Sequence, residues 1–230
     1  MTLTIYNDLE QGSDEWLQAR CGILTASVIG QLITPATLKV ARNDTSKALI
    51  RRLAAERITS HPISIRPNQA MQRGTLLEPF AREAYAEHMG VTVEEVGFMR
   101  LDGGTGPLGF SPDGLVGDDG SIEIKCPGPE THIATVLADE VPSENVAQVQ
   151  TGLFVSGRSW IDFVSYCPGS HTYIKRVEPD ERWQQAIMAA VSHAETEILE
   201  TVYVYERRVE QLELSPAEWF DPFEDPIITV

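Results

Sequence analysis

The sequence predicts an α/β fold, a mixed central β-sheet flanked by helices, from three observations. Period-two alternation of apolar and polar residues recurs at Ser121–Cys126, Trp160–Tyr166 and Thr172–Val177. Stretches with apolar residues at helical spacing lie before and after these, at 44–60, after Gly74 and from Asp180. The 230-residue length suits one domain with a substantial core, and 42% apolar with 23% charged residues is an ordinary globular balance. We therefore expect a single domain over 1–230, with a core over 10–177 and a C-terminal helix and acidic tail over 180–230.

In chain order, Leu3–Tyr6 reads as a short strand, followed by a helix over Ser13–Arg20 that Ser13 caps and Gly22 ends. Thr25-Ala26-Ser27 opens a second helix reaching about Leu32. Residues 44–60 form a helix capped by Asp44, with Ala48, Leu49, Leu53 and Ile58 inward and Lys47, Arg51 and Arg52 outward. Residues 61–68, with Pro62 and Pro67, are a loop or edge segment. The helix after Gly74 buries Leu77, Phe80, Ala84 and Tyr85, is kinked by Pro79 and ends near Gly90.

Val91–Arg100 reads as a strand leading to a hairpin. Residues 129–142 are a loop with room for a short helix, and Ser143 caps a helix holding Gln148. Two strands follow, joined by Cys167-Pro168-Gly169-Ser170-His171. Asp180 starts a long amphipathic helix, with Trp183, Ile187, Ala190, Val191, Ala194 and Ile198 on the face that covers the sheet. The acidic tail from Glu210, with Trp219, Phe220 and Phe223, has no clear period and reads as a subunit contact or a loose end.

Composition narrows the classes of function. No apolar run approaches a membrane span, and no basic region precedes an apolar stretch at the N-terminus, so a cytoplasmic protein is expected. Cys21, Cys126 and Cys167 are odd in number and read as free thiols, one short of an all-cysteine iron–sulfur cluster. The five histidines are scattered, without zinc-ligand spacing. The net charge of −16 opposes nucleic-acid binding if taken as a sum. Its distribution is uneven: residues 1–76 hold nine Lys/Arg against six Asp/Glu, leaving nine against twenty-eight in the rest. Either a basic channel lies within an acidic exterior, or the acidity serves solubility.

The chemistry concentrates at 109–126. Glu123 and Lys125 point the same way from a strand, roughly 7 Å apart. With a three-residue loop Asp118-Asp119-Gly120 and Gly120 left-handed, Gly117 faces Ser121 and Asp113 falls opposite Lys125. Two carboxylates and a lysine then share one face. Like charges repel there unless paired, and a divalent cation such as magnesium resolves the conflict. Such an ion can activate water for phosphodiester cleavage, with Lys125 orienting the water, or taking its proton if its pKa is depressed. A lone D-x9-E-x-K match is more often a solvated hairpin, so the surrounding residues decide.

Those residues carry a resemblance. Ser111-Pro112-Asp113-Gly114 followed by Glu123-Ile124-Lys125-Cys126-Pro127 resembles the PD-(D/E)-x-K, restriction-endonuclease-like core of the phage lambda exonuclease family, the YqaJ-type viral recombinase nucleases. Three further stretches are similar to that family's motifs, in its order. They are Gln11 to Ser27 (Q-G-x-x-x-W-x-x-x-R-x-G-x-[IL]-T-A-S), Arg73 to Ala81 around the G-x-x-x-E helix, and Ala147-Gln148-Val149-Gln150.

The resemblance implies a magnesium-dependent deoxyribonuclease, with manganese substituting and two ions bound. Asp113, Glu123 and the Ile124 carbonyl would be metal ligands, Lys125 would act on the water, and Glu78 would assist. Arg20, Ser27, Ser111 and Gln148 would bind the 5′-phosphate of linear double-stranded DNA. Lys47, Arg51 and Arg52 are candidates for the DNA backbone on charge alone. The family further implies processive 5′-to-3′ digestion that leaves a 3′ overhang for a single-strand annealing protein, a homotrimeric ring, and a phage or prophage origin in a bacterial host. The alternatives are an endonuclease or differently assembled nuclease on the same core, a non-catalytic DNA-end-binding scaffold, or a binding module with an unrelated acidic surface.

Overall fold

The computed structural model describes residues 1–63 and 68–220. Among these the expected α/β fold of mixed sheet flanked by helices is present, its strands divided between two four-stranded mixed sheets and a small two-stranded ribbon. The first sheet contains β1 (Thr2–Tyr6), β2 (Leu24–Thr25), β5 (Phe98–Asp102) and β6 (Leu108–Phe110) in the order β1-β5-β6-β2. The second contains β7 (Gly114–Val116), β8 (Gly120–Lys125), β9 (Trp160–Ser165) and β10 (Tyr173–Val177) in the order β10-β9-β8-β7. The ribbon pairs β3 (Ile33–Thr34) with β4 (Lys39–Val40). In the second sheet β8 and β9 run parallel, with Lys125 beside Ser165. A parallel pair needs a crossover, supplied by α5 (Pro129–Ala138) and α6 (Ser143–Ser156).

The remaining helices are α1 (Asp14–Ala19), α2 (Ala26–Ile29) with a 3₁₀ turn over Gly30–Leu32, α3 (Asp44–Thr59), α4 (Gln69–Met89) and α7 (Glu181–Leu212). Several caps follow expectation: Ser13 accepts from the Trp16 amide, Asp180 caps α7, and Gly90 ends α4 in the left-handed conformation. Others differ. Asn43, not Asp44, caps α3, forming a reciprocal box with Ser46. Pro142 stands at the N-cap of α6, so Ser143 is its first residue and caps nothing. Helix α4 begins five residues before Gly74, at Gln69, is capped by Asn68 and runs unbroken past Pro79. Phe80 lies on its exposed side, while Ala81 and Tyr85 are buried.

Two strand readings shift for identifiable reasons. The strand expected over 91–100 begins only at Phe98, preceded by a single bridge between Glu94 and Leu115. The Val96 and Gly97 carbonyls are occupied by Gln11 and Trp16 side chains, and a Cβ on Gly97 would stand 2.0 Å from the Leu9 carbonyl oxygen. Side chains and backbone from the N-terminal segment fill the space a neighbouring strand would need.

In the hairpin, Val116 faces Gly120, so the loop is Gly117–Asp119 and Gly117 is the left-handed residue, with φ 54°. Gly120 lies in β8 beneath the Trp160 ring, where an added Cβ would come within 2.0 Å of the ring. The two glycines have exchanged the expected roles, and the register moves by two residues. A shift of two keeps every side chain on its face. Counting back from Gly114 opposite Ile122, Asp113 falls level with Glu123 rather than Lys125.

The larger core joins β2, β5, β6, α2, α3, α6 and the face of α7 bearing Ala186, Ile187, Ala190, Val191, Ala194 and Ile198. Helix α7 packs mainly on α3, α6 and the β3–β4 ribbon instead of lying directly over a sheet, and it extends beyond Ile198 with Leu199, Tyr203 and Val204 exposed. Past it, Trp219 stacks on His61 with ring centroids 3.9 Å apart, and Phe223 lies outside the described residues.

A second cluster docks α4 on the β8–β9 sheet through Ala81, Tyr85, Ile122, Ile124 and Val164. Buried Asp162 fixes that docking: it accepts from the Tyr85 hydroxyl at 2.7 Å and from both sides of the Arg176 fork at 2.8 Å, and Arg176 stacks on Trp160. Tyr85→Phe, which leaves the ring and removes one donor to a buried carboxylate, is expected to lower the unfolding free energy by about 1–3 kcal/mol in urea titrations. An unchanged midpoint would show that Asp162 does not depend on Tyr85.

Candidate active site

The end of β8 delivers Glu123 and Lys125 to one side of the sheet, as period-two geometry requires. Asp113 arrives from the turn between β6 and β7, just outside the ladder, and its Oδ2 accepts the Ile124 amide at 2.5 Å. Glu78 comes from α4. These four side chains line one cleft of about 650 Å³ together with Arg20, Ser27, Ser111, Ile124 and Gln148. All the residues expected at the metal and phosphate sites therefore meet there. Lys47, Arg51 and Arg52 do not: Lys47 and Arg51 are exposed on α3, and Arg52 points toward Glu56, 4.0 Å away.

The acidic wall is under electrostatic stress. Glu123, 1% exposed, accepts at Oε1 from the Lys125 ammonium at 2.7 Å and from the Gln148 amide at 2.5 Å, while its Oε2 is buried without a partner. Burial raises the Asp113 pKa well above the usual carboxylate range, reinforced by Glu123 and Glu78 and only partly offset by Lys125 and the Ile124 amide. Glu78 is also raised, by burial first and then by Glu123 and Glu95, against the pull of Arg82. Burial pushes the Lys125 ammonium the other way, but Glu123 and Asp113 outweigh it and the pKa rises. Lys125 serves in this arrangement as a hydrogen-bond donor to Glu123.

These residues fit a hard divalent cation. An unpartnered buried carboxylate oxygen stands near a second carboxylate whose charge the surroundings disfavour, which is the situation a cation relieves. Among the described residues, no three His, Cys, Asp or Glu side chains group closely enough to enclose a metal by themselves. A cation that takes two carboxylates and completes its shell with carbonyl, water or phosphate oxygens matches that arrangement. Asp113, Glu123 and the Ile124 carbonyl would be the protein's share.

The other wall is cationic. The Arg20 guanidinium lies 3.7 Å over the Trp16 ring and reaches only the hydroxyls of Thr25 and Ser27, at 3.5 and 3.4 Å. It forms no ion pair among the described residues, and burial pushes its pKa down to about 10. Nearby Glu56 is occupied by the Gly22 and Ile63 amides. Helix α2, four residues long, adds little dipole at Ser27, so the cation itself is the anion-attracting feature.

Two roles were not read from the sequence. Trp16 donates to the Ser111 hydroxyl at 3.0 Å and to the Gly97 carbonyl while carrying Arg20 on its face, and Gln11 reaches the Pro112 carbonyl at 2.9 Å. The N-terminal motif thereby grips the turn that presents Asp113. Arg82 bridges Glu78 to the Asp113 carbonyl. Its spacing of four from Glu78 was the only available signal. Gln148, also in the cleft lining, donates to Glu123 Oε1.

The family model for the YqaJ-like viral recombinase domain matches residues 15–159. An alkaline exonuclease from Laribacter hongkongensis, solved alone and in complex with dAMP, is 36% identical, covers 87% of this chain and 100% of its own, and superposes with a TM-score of 0.76 in both states. A phage-related exonuclease from Haemophilus somnus 129PT shares the fold at 14% identity, over 80% of this chain and 96% of its own, with a TM-score of 0.62. No curated protein matches the chain. With the motif-bearing residues gathered in one cleft and well over half of its length matched, the chain belongs to the YqaJ-like viral recombinase family.

Proposed function

We propose that this protein is a magnesium-dependent exodeoxyribonuclease that degrades one strand of linear double-stranded DNA, 5′ to 3′ from a phosphorylated end. It would release 5′-mononucleotides and leave a 3′ overhang for a single-strand annealing partner in phage-type recombination, acting in the bacterial cytoplasm. The observation carrying this reading is the juxtaposition, in one cleft, of acidic side chains with an unpartnered carboxylate oxygen and a half-buried arginine that forms no ion pair among the described residues. A terminal phosphate suits the arginine and a scissile phosphate suits the acidic side chains. An enzyme that recognised internal sites would have no use for the first.

When bound, magnesium, or manganese in its place, supplies Lewis acidity toward the phosphate and an activated water. Asp113 and Glu123 are pre-aimed for it, Asp113 by the Ile124 amide and Glu123 by Lys125 and Gln148. Lys125, a donor to Glu123 in this arrangement, would orient the water and steady negative charge at the phosphate oxygens, or take the water's proton where a bound cation depresses its pKa. Arg20 offers a two-pronged donor to a 5′-phosphate, with Ser27 and Ser111 hydroxyls in the same cleft. Outside the cleft the acidic surface repels duplex, so DNA is favoured only where cations are concentrated. Assembly as a ring of three copies belongs to the same proposal. No helix among the described residues is long and apolar enough to cross a membrane.

Linear 5′-phosphorylated duplex should yield mononucleotides only with magnesium or manganese, while closed circles stay intact. Equal cutting of circles would replace the exonuclease reading with an endonuclease. Asp113→Asn and Glu123→Gln should each reduce release to background with the far-ultraviolet spectrum unchanged; full turnover in either removes the site. Arg20→Gln should lower the preference for phosphorylated over unphosphorylated ends about 10- to 100-fold, the worth of a charge-assisted hydrogen bond, as measured on end-labelled substrates.

A further inference from the structure

Helix α4 lines the cleft with Glu78 and carries, outside the lining itself, an arginine that holds Glu78. One turn on, the Arg82 side chain is only 15% exposed and meets three different segments with its three nitrogens. Nη2 is 2.6 Å from Glu78 Oε1, Nε donates to the Asp113 backbone carbonyl at 2.8 Å, and Nη1 lies 3.1 Å from Glu95 Oε2. A solvated ion pair between helix neighbours would make the first contact alone.

The Asp113 contact matters most. Asp113 precedes the first residue of β7 and lies outside the named strands, so regular ladder bonding does not hold its carbonyl. Arg82 holds that carbonyl while the Ile124 amide holds the carboxylate, so the residue is fixed at both ends. The same guanidinium occupies one oxygen of Glu78. We propose that Arg82 is the positioning residue of the cleft, a rigid fork that sets where Asp113 and Glu78 stand relative to each other and thereby tunes the affinity for a divalent cation. This rests on the reading of Asp113 as a metal ligand. A lysine has the charge but not the planar fork, and could not reach a carboxylate and a carbonyl in the same geometry.

Calorimetric titration of the full chain with calcium alone, without DNA, tests this apart from turnover. Unaltered protein should bind calcium and Asp113→Asn should not. Arg82→Met should bind about 10- to 100-fold more weakly, the usual effect of losing an outer-shell partner. Arg82→Lys should also be weakened despite its charge, and millimolar guanidinium should restore binding to Arg82→Met. If Arg82→Met does not fold, as judged by its thermal transition, Arg82→Lys decides. Calcium binding by Arg82→Lys as tight as in the unaltered protein would overturn the positioning role while leaving the metal site in place. Identical binding by Asp113→Asn and unaltered protein would instead overturn the metal-site reading itself.

Discussion

Asp113, Glu123 and Glu78 line one cleft, where burial penalises the charges of Asp113 and Glu78 and the local cations do not balance them. Lys125 and Arg82 are both engaged, yet Asp113 and Glu78 remain above their ordinary pKa range and one Glu123 oxygen finds no donor. Packing alone gives no reason to tolerate such a cluster. Much of the surrounding structure can be understood as holding these carboxylates in place, because groups that repel will separate unless each is tethered.

The tethers come from distant parts of the chain. Parallel pairing of β8 with β9 fixes Glu123 and Lys125, and α5 and α6 make that pairing possible while α6 also delivers Gln148. Helix α4 carries Glu78 and Arg82 and is locked onto the sheet by Tyr85, whose hydroxyl meets buried Asp162. The N-terminal motif secures the Ser111–Asp113 turn from the other side through Gln11 and Trp16. Because Trp16 also supports Arg20, the same short segment couples the cationic wall to the acidic one. The opposed charges of the cleft are thus built on shared supports.

Several elements were legible because their signals are local. The face of α7 from Ile187 to Ile198, the Gly90 stop and the strands around the 167–171 turn depend on spacing and on one residue's backbone freedom. The convergence of Asp113, Glu123 and Lys125 was legible for a related reason. Period-two alternation survives a register error of two residues, so the mistaken hairpin loop did not move any of them to the other face. The strand over 91–97 was misread because its carbonyls go to Gln11 and Trp16, some eighty residues earlier in the chain.

Taken by itself, the sequence determined the inward face of α7, the strand parity and which polar residues recur in the motifs, since these follow from neighbours a few positions apart. Tertiary structure alone decided that Gly117 and not Gly120 turns the hairpin, since the Trp160 ring fills the space over Gly120. It also decided that Gln148 and Lys125 both hold Glu123 and that Arg82 bridges Glu78 to the Asp113 carbonyl. Each of these depends on which groups meet across the fold and how much water they lose, and neither contact nor dehydration is written into a residue's immediate neighbours.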